Sequence, residues 1–111
     1  MATIKNLPIG KPEKLADLIK IKKNQVLSKS FASSGHVNIT LLSFSGQEDV
    51  SEEKYFGDTM YYIIEGNTYL SQNKELIALE TGDVVSVPAN ILHGIGGKDS
   101  FKVLQITVNE D

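Results

Sequence analysis

His93 is the residue whose type and position best suit it for chemistry. The chain has two histidines, His36 and His93, and no cysteine. An imidazole can act as a general acid or base near neutral pH, and it can bind a transition metal. His93 follows a strand-like run and a turn at Pro88, whereas His36 follows a Ser-Ser-Gly turn where a surface position is expected. His93 is therefore the candidate centre of a site.

The partners of His93 are limited by the residue types that the chain lacks. Without cysteine there is no thiolate nucleophile, no thiolate metal ligand and no disulfide. All eleven basic residues are lysines, so no guanidinium can grip a diphosphate in bidentate fashion, which counts against a sugar-nucleotide substrate. The acidic run from Gln47 to Lys54 lacks the spacing of a calcium-binding loop. It is predicted to be a solvated loop with one or two residues turned into a pocket.

The elements that must position His93 are short β-rich runs separated by Gly or Pro turns. From Gln25 onward these runs recur about every ten residues with no long helical pattern between them, which predicts an all-β sandwich or barrel. In the run "HVNITLLSF" the apolar alternation changes phase between Leu41 and Leu42. That change predicts either a bulge or a strand buried on both faces.

A short helix or turn is predicted ahead of the β-rich region. The segment "KPEKLADLIK" has Pro12 where a first helical turn tolerates proline, and it has three apolar residues on one face. So short a helix needs a docking surface to be stable. A chain of 111 residues is the size of one domain. We therefore expect an N-terminal arm, residues 1–24, packed on a barrel formed by residues 25–111.

The spacing around His93 resembles the second motif of the cupin superfamily, whose members are small double-stranded β-helix barrels of the jelly-roll kind. That motif reads G-x5-P-x-G-x2-H-x3-N, and Gly82, Pro88 and His93 match three of its positions. Asn90 replaces the second glycine and Gly97 replaces the final asparagine. The first replacement is mild, because asparagine tolerates the left-handed conformation better than other non-glycine residues. The resemblance covers most of the chain and implies an all-β cupin barrel.

The first cupin motif, G-x5-H-x-H-x3,4-E-x6-G, is where this chain departs from the family. Counted back from Gly66, the acidic position falls on Thr59, and the two histidine positions fall on Glu53 and Tyr55. The longer spacing would give Glu52 and Lys54 instead. Strand parity favours the first pair, because those two residues share a face with Thr59 in an extended chain.

Metal binding is the chemistry that this departure puts in question. Cupin metal sites hold iron, manganese, nickel or zinc through neutral imidazoles and a carboxylate. Of the four ligands that the resemblance implies, His93 alone is present in type, and one imidazole does not hold a labile divalent ion. The sequence therefore does not firmly imply a cofactor, and a divalent transition metal (iron, manganese, nickel or zinc) is kept as the alternative. A metal-dependent enzyme of the oxygenase or isomerase type would need a rearranged ligand set, such as Glu53, Asp58 and His93.

Metal-free binding, or slow conversion, of a small metabolite in the barrel is the leading interpretation. A carboxylate beside an imidazole can serve as general acid and base, so the catalytic candidates are His93, Glu53 and Tyr55. The further pocket residues are expected to be Thr59, Phe44 and Tyr61. A third interpretation is a dimeric interaction or sensory module, in which His93 only makes hydrogen bonds in the barrel mouth.

Composition and charge limit the partners. The net charge of −3 provides no basic footprint for nucleic acid. No segment is apolar enough for a signal peptide or a membrane span, so we expect a cytoplasmic protein without a membrane partner. Small cupins often dimerise, and the outward faces of "TMYYIIE" and "FKVLQITV" offer apolar surface. We expect a homodimer with a small-molecule ligand.

Overall fold

Strands make up nearly all of the regular structure. The computed structural model describes residues 3–46 and 51–109; residues 47–50, part of the acidic run, lie outside the described residues. Within that part of the chain no helix is long and apolar enough to cross a membrane. The described elements are a 3-10 helix, Leu15–Leu18, and the strands β1 Val26–Ser33, β2 Val37–Phe44, β3 Asp58–Gln72, β4 Glu75–Glu80, β5 Val84–Val87, β6 His93–Gly96 and β7 Phe101–Val108.

Strand β3 runs through both layers of the barrel. Its first half pairs with β7 and β5 in a sheet of order β1-β2-β7-β3-β5, and its second half lies between β4 and β6. The pairing with β7 shifts register between Ile63 and Glu65. Gly66 follows with a φ of 92°, and a Cβ there would lie 2.5 Å from the carbonyl oxygen of Ser100. This bulge lets one strand turn from one layer into the other. The predicted all-β barrel is confirmed.

The phase change in β2 reflects burial on both faces of the strand. Leu41 packs on the outer face with Phe31 and Ile19, whereas Leu42 and Phe44 pack on the barrel interior. The register of β2 with β7 is unbroken. Of the two alternatives that the sequence left open, the structure therefore has the doubly buried strand. The bulge in this region lies in β1 instead, after Ser30.

Two apolar clusters flank the first sheet. The inner cluster fills the barrel, and its buried residues are Tyr61, Ile63, Leu70, Leu79, Val87, Phe101 and Val103. The outer cluster is covered by the N-terminal arm, whose Leu15 and Leu18 pack against it. Lys102, on the outward face of β7, donates a hydrogen bond of 2.6 Å from Nζ to the carbonyl oxygen of Ala16 and lies 3.5 Å from the Glu65 carboxylate. The short helix predicted in this arm is therefore one 3-10 turn docked on the sheet.

Candidate functional site

A cavity of about 490 Å³ lies inside the barrel beside His93. Its polar lining residues are Ser51, Glu53, Tyr55, Tyr61, His93 and Gln105. Its apolar lining residues are Val26, Leu42, Phe44, Ile95 and Phe101. The cavity thus joins a polar region around His93 to an apolar one, which is the usual composition of a small-molecule pocket.

A larger groove lies on the other side of the second sheet. It measures about 1120 Å³, and Tyr69, Leu76 and Ala78 contribute to its floor. None of the predicted site residues lines it. The interior cavity is the better candidate despite its smaller volume, because it contains the histidine and its predicted partners.

The imidazole of His93 is buried and has a hydrogen-bond partner at each nitrogen. The residue is 2% exposed. Nδ1 lies 2.9 Å from the carbonyl oxygen of Ile91, which can only accept, so Nδ1 carries the proton. Nε2 is then the acceptor for the hydroxyl of Tyr61 at 2.8 Å. The carbonyl of Ile91 therefore selects one tautomer of the neutral imidazole, held between a backbone carbonyl and a phenol.

A backbone bridge brings Glu53 and Tyr55 to His93. The amide of Glu53 donates to the carbonyl oxygen of His93 at 2.6 Å, and the amide of His93 donates back at 2.9 Å. Two residues after Glu53, the carbonyl oxygen of Tyr55 accepts a hydrogen bond of 2.8 Å from the amide of Asn90. Because side chains alternate along an extended chain, Glu53 and Tyr55 both face the cavity. The ring centroids of Tyr55 and His93 are 5.6 Å apart.

Glu52, the neighbouring carboxylate, lies on the opposite face of this segment. It accepts a short hydrogen bond from the hydroxyl of Ser71 and one of 3.2 Å from the amide of Lys74. These contacts fasten the segment to the end of β3. The pair Glu53 and Tyr55, and not Glu52 and Lys54, is the one that lines the cavity.

The hydroxyl of Tyr55 lies in a polar network with Glu53 and Gln105. Burial raises the pKa of Tyr55, the Glu53 charge raises it further, and the Gln105 side chain opposes this through a hydrogen bond. Tyr55 also hydrogen-bonds the Glu53 side chain, and a neutral phenol must donate to a carboxylate. Burial likewise raises the pKa of Tyr61, with smaller contributions from Tyr55 and Glu53. Both tyrosines therefore remain protonated donors at neutral pH.

Gln105 is one of the cavity residues that sequence reasoning missed. It lies on β7, where the inward positions Phe101 and Val103 are fully buried and apolar. A polar residue that continues such an inward series is a signal for a pocket. The alternation of β7 could have identified it.

The remaining predicted residues divide between the cavity and its surroundings. Phe44 and Tyr61 line the cavity. Thr59 is buried outside the lining, with its hydroxyl 3.1 Å from that of Thr107. Asp58 is exposed, and its carboxylate accepts a 2.8 Å hydrogen bond from the amide of Ala89. Its role in the structure is to hold the turn before β6.

That same turn bears out the expectation for Asn90. Asn90 has a φ of 67°, in the left-handed region where the family motif has glycine.

The donor set does not fit the metal site that the fold family implies. Across residues 3–46 and 51–109, no group of three or more histidines or acidic residues could hold a metal ion. The proposed set of Glu53, Asp58 and His93 is not assembled, because the Asp58 carboxylate is engaged at the Ala89 amide. Nε2 of His93 is already hydrogen-bonded to the hydroxyl of Tyr61. The described residues therefore do not assemble a cupin metal site.

The fold and the cavity define a small jelly-roll barrel with one buried histidine in its interior. The chain belongs to the cupin superfamily. It is 48% identical to a cupin superfamily protein from Desulfitobacterium hafniense over 96% of this chain and 98% of that chain, with a TM-score of 0.91. The family resemblance predicted from Gly82, Pro88 and His93 is thus confirmed.

Two further solved structures are similar to this chain. A conserved protein of unknown function from Streptococcus pyogenes is 26% identical, covering 100% of this chain and 97% of that chain, with a TM-score of 0.91. A cupin 2 conserved barrel domain protein from Leptotrichia buccalis is 23% identical, covering 96% of this chain and 51% of that chain, with a TM-score of 0.86; it shares the fold. No family model and no curated protein matches the sequence.

Proposed function

We propose that this cupin binds a small metabolite in its interior cavity without a tightly held metal. The observation that carries the proposal is the cavity beside His93, in which the polar side chains of Glu53, Tyr55 and Gln105 share the lining with apolar ones. Such polar groups orient a ligand, and the apolar remainder buries its body.

Glu53 and Gln105 are two lining residues with hydrogen-bonding capacity left for a ligand. A carboxylate has about four lone-pair sites, and a primary amide has two donors and one acceptor oxygen. Tyr55 uses one of those sites on each side chain. His93 has both nitrogens engaged, so its part is to hold the ring of Tyr61 in the cavity wall.

The same groups would serve a slow conversion of the ligand. Glu53 would accept a proton from the bound molecule, and Tyr55 would donate one at a neighbouring position. Behind them, the hydroxyl of Tyr61 and Nε2 of His93 form a second donor and acceptor pair. Of the three residues predicted for metal-free proton transfer, Glu53 and Tyr55 would then act on the ligand, and His93 would act through Tyr61.

Ligand binding in the cavity can be tested with a metabolite panel, read by thermal shift and then by calorimetry. A ligand at about one hundred times its Kd should stabilise the protein by about 2.7 kcal/mol. Leu42→Trp, which fills the apolar part of the cavity, should abolish the shift. Tyr69→Phe, in the outer groove, is the control and should retain it. The proposal fails when no compound stabilises the protein, or when the shift survives in Leu42→Trp.

Metal content is a separate measurement on the same purified protein. After loading with iron, manganese, nickel or zinc and desalting, elemental analysis should find well under one equivalent of metal, because the donor set at His93 is incomplete. His93→Ala should leave the metal content unchanged, and His36→Ala serves as the matched control. One equivalent of metal that disappears in His93→Ala alone would establish the metal-dependent alternative.

The homodimer and the cytoplasmic location stay predictions. Part of the expected dimer face is covered within one chain, because the N-terminal arm packs over Ile64 and Leu104. Tyr62 and Val84, which pair across β3 and β5, remain exposed beside it. Together with Val108 on β7, which is 49% exposed, they offer apolar surface to a second copy.

A further inference from the structure

The charges that line the interior cavity are of one sign. Glu53 is the one carboxylate in the lining, and no lysine is among the lining residues. The chain has no arginine, since its eleven basic residues are all lysines. In the neutral tautomer, whose Nε2 accepts the hydroxyl of Tyr61, His93 contributes no charge. Within the described residues, the cavity is therefore an anionic site without a counter-ion.

An anionic ligand meets two obstacles in this cavity. It must give up hydration without reaching a cation, and it must approach the carboxylate of Glu53. Lys54 is next in sequence to Glu53 but does not line the cavity. The site therefore discriminates against carboxylates and phosphates.

A protonated amine meets favourable groups in the same place. The carboxylate of Glu53 pairs with an ammonium, and the tyrosine rings present faces that attract a cation. Tyr55 and Tyr61 each lie with their ring centroid 5.6 Å from that of His93, so both rings stand at the polar region. Glu53 is exposed at the edge of the cavity, so beside a neutral alcohol its charge would be balanced by water alone.

The apolar part of the cavity fits the body of such a ligand. Phe44 and Phe101 stack with their ring centroids 4.5 Å apart and an interplanar angle of 6°, and Leu42 lies beside them in the lining. Hydrocarbon or aromatic groups gain from burial against these side chains.

We infer that the ligand of this cavity is a small primary amine, bound as its ammonium ion on Glu53, with an apolar body against Leu42, Phe44 and Phe101. The inference rests on the proposed function, because it names the class of molecule that the interior cavity takes. Glu53 is then the residue that determines specificity.

Three probes of matched size and different charge test the inference by calorimetry on the full chain. They are 2-phenylethylamine, 2-phenylethanol and phenylacetate. The amine should bind at least tenfold more tightly than the alcohol, and phenylacetate should bind most weakly. In Glu53→Gln the preference for the amine should disappear, while binding of the alcohol changes by less than about twofold. Added salt should weaken the amine more than the alcohol, because salt screens charge.

Glu52→Gln is the matched control. It removes an equal charge one residue away, from a carboxylate that faces Ser71 and Lys74 outside the interior cavity. The amine preference should survive in this variant. A loss as large as in Glu53→Gln would overturn the inference.

The failure of the inference is distinguishable from the failure of the proposed function. Equal binding of amine and alcohol, or tightest binding of phenylacetate, overturns the amine class while leaving a cavity that binds small molecules. The amine class is also overturned, and the proposed function kept, when none of the three probes binds but the metabolite panel gives a neutral or anionic ligand whose binding is lost in Leu42→Trp. If no compound from the probe set or the metabolite panel binds, the proposed function is overturned, and the inference is overturned with it.

Discussion

Replacing Phe101 by alanine should lower the free energy of unfolding by about 3–5 kcal/mol. The side chain is 0% exposed at the start of β7, and its ring stacks on that of Phe44, its register partner on β2. The substitution removes buried apolar surface and enlarges the cavity beside it. The surrounding barrel relaxes only in part, because β7 is hydrogen-bonded on both sides.

Urea unfolding gives the measurement, and Val108→Ala gives the control. Val108 ends the same strand but is 49% exposed, so its loss should cost less than about 1 kcal/mol. An unchanged m-value in both variants would show that the difference in midpoint is a difference in stability. A loss in Phe101→Ala no greater than in Val108→Ala would contradict the packing described for the inner cluster.

Tyr61→Phe should destabilise the protein by about 1–3 kcal/mol although it removes a single oxygen. The hydroxyl of Tyr61 is the donor to Nε2 of His93, and the imidazole is 2% exposed. Without that donor, Nε2 of His93 is left as a buried acceptor without its hydrogen bond from Tyr61. Tyr62→Phe, next in sequence and 38% exposed, should change stability by less than about 0.5 kcal/mol. If the two variants were equally stable, the bond between Tyr61 and His93 would not be a stabilising one.

Tyr61→Phe should also change how the free energy of unfolding depends on pH in the alkaline range. Burial raises the pKa of Tyr61 above its ordinary value in the folded protein. The unfolded chain therefore loses the phenolic proton near pH 10 while the folded protein retains it. Below pH 10 the contribution of Tyr61 is fully present. Above it, the free energy of unfolding should fall by up to about 1.4 kcal/mol per pH unit.

Unfolding curves between pH 9 and 11 measure this slope. It should be reduced in Tyr61→Phe and unchanged in Tyr62→Phe. A residual slope in Tyr61→Phe is expected from Tyr55, whose pKa is also raised. Identical slopes in the two variants would mean that Tyr61 titrates alike in the folded and unfolded chains.

The fold could be predicted because its signals are local. The turn residues and alternating strands indicated an all-β barrel, and the spacing of Gly82, Pro88 and His93 indicated the family. Strand parity chose Glu53 and Tyr55 over their neighbours, and the two chosen residues line the cavity. Each of these inferences needs only residues that are near in sequence.

The hydrogen-bonding state of His93 could not be predicted in this way. Tyr61 lies in the half of β3 that pairs with β5 and β7, whereas His93 pairs with the other half. Their hydrogen bond therefore crosses between the two layers, and strand periodicity carries no information about which residues meet across layers. The hydrogen bond of the Asp58 carboxylate joins β3 to the turn after its partner β5, 31 residues away in the chain, and residues so far apart give no local signal.

The position of β7 between β2 and β3 has a consequence during synthesis on the ribosome. The neighbours in the first sheet come from both ends of the described chain, and β2 cannot reach β3 except through β7. The inner cluster also lacks Phe101 and Val103 until that strand is made. The pairs of β1 with β2 and of β3 with β4, β5 and β6 do not need β7, whereas the first sheet stays in two parts until Phe101–Val108 is made. Completion of this barrel is therefore a late step, and until then the nascent chain exposes strand edges and apolar faces of the kind that aggregate.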